Sequence, residues 1–178
     1  MIDIDVPYRP VVAALREMLQ RLQDRRELMG ELAGIMVRSI ELNFQEGGRP
    51  ERWVDLQPGT KEARRKQGTW PGQILVRSAG GLAASMQGDW DNDQALAGTN
   101  KAYAAIQNFG GTTRPHVIKP RFKRALAFGG VVVRQVNHPG SRIPARRFMN
   151  LTDQDMQDML DSAEDFVNAA MPQGDAPT

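Results

Sequence analysis

The hydrophobic period of this chain changes near Gln87, ahead of a return to helical spacing at Thr152, and that change restricts its fold more than any other feature. Before it, apolar residues recur every three to four positions, the spacing of helices. After it they come in short runs broken by glycine, proline and asparagine, the pattern of strands and turns. Helices grouped apart from an antiparallel sheet define the α+β class. The 178 residues suffice for a single α+β domain over 1–171, with a small polar tail, 172–178, expected to be disordered.

The first expected unit is a helical hairpin over 1–46. Val11, Leu15, Met18, Leu19 and Leu22 repeat at helical spacing behind Pro10, which suits a first turn. Asp24-Arg25-Arg26-Glu27 has the form of a capping box. Leu28, Leu32, Ile35, Met36, Ile40 and Phe44 then make a second stripe, ended by Gly47-Gly48. Residues 47–111 read as short helices and strands. One helix covers 61–67 behind Thr60, and another covers 78–86 behind Ser78. Gly80-Gly81 weakens the latter by about 1 kcal/mol per glycine relative to alanine. Strands at 87–90 and 94–97 flank the turn Asp91-Asn92-Asp93, and 101–108 makes one or two helical turns. Residues 112–151 form a β region. There 123–128 and 131–136 flank Gly129-Gly130, a hairpin signal because glycines accept positive φ. Thr152 caps a terminal helix over 152–171, predicted to pack on the sheet through Met156, Met159, Leu160, Ala163, Phe166, Val167 and Ala170.

Charge is distributed unevenly. Between Thr112 and Leu151 there is no Asp or Glu, whereas Arg114, Lys119, Arg121, Lys123, Arg124, Arg134, Arg142, Arg146 and Arg147 are basic. The next segment reverses sign with Asp153, Asp155, Asp158, Asp161, Glu164 and Asp165. Such asymmetry implies an acidic partner for one segment and a basic partner for the other. Those partners can be each other. The candidate subunit-interface residues are therefore Arg114, Arg121, Lys123, Arg124, Arg134, Arg142, Arg146, Arg147, Asp153, Asp155, Asp158 and Asp161. Nucleic acid is the competing partner, through counterion release. However, only Phe122, Phe128 and Phe148 interleave with the charges, and the last two read as inward-facing, unlike a base-stacking platform. Trp53, Trp70, Trp90 and Tyr103 read as parts of a small core in preference to interface anchors.

Traces of catalysis are missing from the sequence. Without cysteine there is no disulfide, thiolate metal site or cysteine nucleophile. No run approaches the roughly 18 apolar residues of a membrane span, and Met1-Ile2-Asp3-Ile4-Asp5 is acidic where a secretory leader is basic. His116 and His138 each sit beside a proline, outside any ligand-like cluster. Asp89, Asp91 and Asp93 lack the glycine and distal glutamate of a calcium loop, so turn chemistry accounts for them. Neither glycine pair has the strand–helix context of a phosphate cradle. No enzyme activity, cofactor, metal, small-molecule substrate or membrane partner is expected.

Four pieces of sequence occur in an informative order: Trp53-Val54-Asp55-Leu56 with Thr60; Leu75 with Ser78 and Leu82; Gly98 leading into Tyr103-Ala104 and Phe109-Gly110; and Ile143-Pro144-Ala145-Arg146-Arg147-Phe148 before the last helix. Together they resemble the phage virion morphogenesis family, which includes tail completion proteins of Mu-like phages. The resemblance implies a virion structural protein assembled in the host cytoplasm. It further implies a ring subunit, in a hexamer or dodecamer, at the head–tail junction. There it would touch tail tube or sheath proteins on one side and connector or portal-side proteins on the other, with genome DNA passing through the ring. A ring needs unlike patches that meet on neighbouring copies, so 114–147 is expected to face 153–165 of a neighbour, or of a neighbouring ring. Pairing within one chain is the competing expectation. A head-closure connector and a DNA-binding module using 112–151 are the alternative functions.

Overall fold

The computed structural model describes residues 8–122, 124–128 and 131–171. The expectations for Lys123, the Gly129-Gly130 turn and the 172–178 tail lie outside them. The architecture is α+β. An N-terminal bent helix, hairpin-like, consists of α1 (Tyr8–Gln23) and α2 (Arg26–Glu46). α3 (Pro58–Lys66) and a 3-10 turn (Ala83–Ser85) lead to the hairpin of β1 (Gln87–Trp90) and β2 (Ala95–Gly98). After α4 (Ala104–Phe109) come the strands β3 (Gly111–Thr112), β4 (His116–Ile118), β5 (Leu126–Phe128), β6 (Val131–Val133), β7 (Val136–His138) and β8 (Arg142–Ile143). The helix α5 (Asp153–Ala170) closes the described chain.

α2 is the organising element. One of its faces carries β1 and β2, where Gly88 sits close to Val37 and Ala33. Another face carries α5. The terminal helix, placed on the sheet by its sequence, lies along α2 and α1, and α2 joins it to the β1–β2 hairpin. The buried core is small: Ile40, Phe44, Leu82, Ala104 and Phe148, with Trp53, Leu75, Val76, Ala83, Met86 and Ala97 packed around it. Phe44 stacks on Phe148 at 5.2 Å between centroids and meets Trp53 edge-on at 5.9 Å. Trp70 is half-buried under the Lys61 and Arg64 cations. Trp90 and Tyr103, read as core, are instead exposed.

Several local expectations yield to tertiary contacts. The capping box at Asp24 does not form, because the residue preceding α2 is Arg25 and no side chain caps that helix. The turn after β1 holds this link: Arg25 N donates to Asn92 Oδ1 (2.7 Å), Asn92 Nδ2 donates to the Gln23 carbonyl (3.0 Å), and Arg25 pairs with Asp93. α3 begins at Pro58, behind Gln57 and not Thr60, since proline suits a position whose N–H has no intrahelical partner. The helix expected over 78–86 shrinks to Ala83–Ser85. Gly81 N closes a turn on the Ser78 carbonyl at 3.0 Å, which leaves too few residues for a nucleus. The 101–108 helix starts later, at Ala104. Asp91 does make the expected turn, its Oδ1 accepting from Asp93 N (2.7 Å) and Gln94 N (3.0 Å).

The β region is longer and more continuous than a single hairpin. Gly111 pairs with Ile143, Thr112 with Arg142, and His116, Val117 and Ile118 pair with His138, Asn137 and Val136. Both ladders keep one register, interrupted between them where Gly140 (φ 94°) approaches Thr113 so closely that a Cβ would lie 2.2 Å from the Thr113 carbonyl oxygen. Beyond Ile118 the register shifts, and Leu126, Ala127 and Phe128 pair with Val133, Val132 and Val131. The described residues between 111 and 143 are thus the two limbs of one long antiparallel arm. No described residue from Gly111 to Ala145 is buried. His116 and His138 face each other across the arm, their rings stacked at 5.1 Å.

Candidate assembly surfaces

The four ordered sequence pieces converge in space. Leu56 and Thr60, Leu75, Ser78 and Leu82, Tyr103, and Ile143, Pro144 and Arg146 line one open cleft of about 800 Å³ at the root of the arm. Arg64 forms part of its frame. Buried, it donates from Nη1 and Nη2 to the carbonyls of Thr69, Gln73, Ile74 and Val76 at 3.0–3.1 Å, and so fixes the loop that carries Leu75. Arg146 lines the same cleft. Its N–H donates to the Gln107 carbonyl (2.9 Å) and its Nε to the Val54 carbonyl (3.2 Å), tying α4 and the Trp53 segment to the arm's return strand. Burial pushes the Arg146 guanidinium down from its ordinary value, and the Asp55 carboxylate opposes that. Lys61, first, and the Leu56 N–H hold Asp55 below the usual carboxylate range.

Gly110 stands between α4 and β3 with φ 73° and ψ −179°, a combination open essentially only to glycine. A Cβ there would sit 2.7 Å from Ala145 N. Gly110→Ala should therefore destabilise the protein by about 1–3 kcal/mol, read as a lowered urea midpoint with an unchanged slope. An unshifted midpoint would mean that the arm's root can relax without cost.

A second cluster locks the segment before α5. The buried Ser39 and Asn43 lie one turn apart on α2. Asn43 Nδ2 donates to the carbonyls of Phe148 (2.9 Å) and Asn150 (2.7 Å), and its Oδ1 accepts from Arg49 Nε (3.0 Å). Asp155 Oδ2 accepts from Ser39 Oγ (2.7 Å), Thr152 Oγ1 (2.7 Å), Thr152 N (2.8 Å) and Arg49 Nη2 (3.2 Å). Thr152 Oγ1 in turn accepts from Asp155 N, completing a capping box. Burial pushes Asp155 upward. The Thr152 and Ser39 hydrogen bonds and the Arg49 charge outweigh it, so the carboxyl lies below its ordinary pKa of 3.8.

The candidate interface residues therefore divide. Arg146 and Asp155 are internal: each is buried and spends its hydrogen bonds inside its own chain, which corrects their assignment to a subunit surface. Arg114, Arg121, Arg124, Arg134, Arg142 and Arg147 are exposed on or beside the arm, as are Asp153 and Asp161 on α5, with Asp158 half-exposed. Among the described residues no ion pair joins the arm to α5. Among the sequence-piece residues, Phe148, Ala104 and Leu82 are core, while Tyr103 and Phe109 are exposed. The Ser39–Asn43–Arg49 cluster was missed in the sequence. Its one trace is a pair of polar residues at i, i+4 beside an apolar helical stripe. No helix among the described residues is long and apolar enough to cross a membrane.

The chain is 33% identical over 167 residues to "Mu-like prophage FluMu G protein 2" of Haemophilus influenzae, covering 93% of this chain and 96% of that protein. It is 28% identical over 174 residues to "Putative capsid assembly protein G" of Escherichia phage Mu, covering 96% of this chain and 97% of the other. A shorter match, 28% over 99 residues, reaches "Mu-like prophage FluMu G protein 1" of Haemophilus influenzae, covering 54% of this chain and 68% of the other. No solved structure matches. The model of the phage virion morphogenesis family matches residues 6–168, and the chain belongs to that family.

Proposed function

We propose that this virion morphogenesis protein acts as a ring subunit at the head–tail junction, where it completes the tail or joins it to the head through contacts between proteins. The observation that carries this reading is the basic arm, 111–143, which has no buried residue among those described. An arm of that length, rich in β-branched residues and cations, gains little stability as a free monomer feature. It becomes useful once a second surface covers it. Arm and acidic terminal helix are unlike surfaces on one chain. Contacts between unlike surfaces generate rings when the rotation closes. The phage Mu relative's name points to particle assembly, in keeping with a structural part of the virion.

Native mass spectrometry of the purified chain, with labelling of the protein in mature particles, tests the reading. The expected result is one closed oligomer and a single layer of label at the proximal end of the tail. Absence from mature particles, with presence only in precursor heads, would instead make the protein an assembly factor that departs.

A further inference from the structure

We propose that the arm of one copy lies along the outward face of α5 on the next copy, with the arm's cations against that helix's carboxylates. This deepens the ring-subunit reading and rests on it. α5 is apolar over a wider arc than α2 can cover. Met159, Phe166 and Ala170 turn inward, leaving Met156, Leu160 and Val167 exposed by 49%, 56% and 39%. Their spacing of four and seven residues makes one straight ridge. Asp153, Asp161 and Glu164 border that ridge on one side. α5 has no basic residue, and the arm has no acidic one.

The arm offers the complementary set. Phe122 and Val132 are exposed by 90% and 70%, among the exposed Arg121, Arg124 and Arg134. Its strands pack chiefly on each other, and no other described element of the chain covers these side chains. Dimensions agree as well. The 18 residues of α5 span about 27 Å at about 1.5 Å per residue, the length of about eight residues of extended strand. One limb of the arm can therefore run the full ridge. Apolar contact would supply most of the attraction, with opposite charges setting direction and partner choice.

Charge exchange tests the pairing. One variant carries Arg121→Glu, Arg124→Glu and Arg134→Glu on the arm; a second carries Asp161→Lys and Glu164→Lys; a third carries all five. Oligomer mass is read by native mass spectrometry, and folding by thermal unfolding. The first two variants should melt within a few degrees of wild type yet lose the oligomer. They should regain it when mixed with each other, and the third should assemble alone. If both single-surface variants assemble like wild type, the arm–helix contact is wrong while the ring reading survives. If neither mixing nor the five-fold change restores assembly, the arm meets some other surface, and the pairing fails. Unchanged assembly together with lost retention on duplex DNA would reassign the arm to nucleic acid. A wild-type chain that stays monomeric at every concentration reached would sink both readings.

Discussion

Phe148→Ala is expected to lower the unfolding free energy by about 3–5 kcal/mol. Phe148 is fully enclosed, the largest such side chain among the described residues, and stacks on Phe44 at the centre of a small core. Truncation removes apolar contact and leaves a cavity that rigid neighbours cannot fill. Those neighbours are constrained from several directions: the Phe148 carbonyl accepts from Asn43 Nδ2, and Met149 N donates to Asn108 Oδ1 at 3.1 Å. The segment cannot simply sink inward. Urea unfolding followed by circular dichroism measures the loss. Phe109→Ala is the control, because that ring is 73% exposed and its removal should stay within about 0.5 kcal/mol. Equal effects at the two positions would contradict a core centred on Phe148.

Asp155→Ala should cost a similar amount, about 3–5 kcal/mol, for an electrostatic reason. The carboxylate and Arg49 are largely shielded from water, their side chains 8% and 15% exposed. Removing the acid strands the guanidinium beside Ser39 and Asn43 and also removes half of the α5 capping box. The same group imposes a pH dependence. Its pKa in the folded protein lies below 3.8, so the unfolded chain takes up the proton first as pH falls. The stabilisation from Asp155 is complete above that value and declines as pH drops through the lower, folded one. Wild type should therefore lose stability below about pH 4 more steeply than the alanine variant. Parallel acid-unfolding curves would show that the buried ion pair contributes nothing. A cycle with Arg49→Met separates the pair's own coupling from the loss of the cap.

Both predictions concern residues that hold the base of the arm, and they separate what was legible in the sequence from what was not. Phe148 and Gly110 were marked by their place in ordered sequence pieces, although nothing in those pieces said that residues near them, Tyr103 and Arg146, would line one cleft. Arg146 was marked too, but its charge suggested a surface, whereas the fold encloses it between Val54 and Gln107. Asp155 was misassigned for the same reason. In sequence it is one of six acids; in space it is the one on the side of α5 that faces Ser39. Trp90 was expected in the core, yet it covers Gly30 from outside, its Nε1 placed 3.0 Å from where a Cβ would stand.

From sequence alone came the α+β class, the period change near Gln87, the terminal helix with its Thr152 cap, the opposite charges of two adjoining segments, and the family. These are properties of local spacing and composition, which a chain expresses whatever its tertiary neighbours. Tertiary structure alone decided that α2 supports both the β1–β2 hairpin and α5, that the strands line up as one arm, and which charges are enclosed. The arm depends on strand pairs as far apart as Gly111 and Ile143, and the enclosed charges depend on contacts far more distant still, as between Ser39 and Asp155. The energy of such contacts comes from burial and from satisfying polar groups in one shared space. Local pattern carries no record of that space.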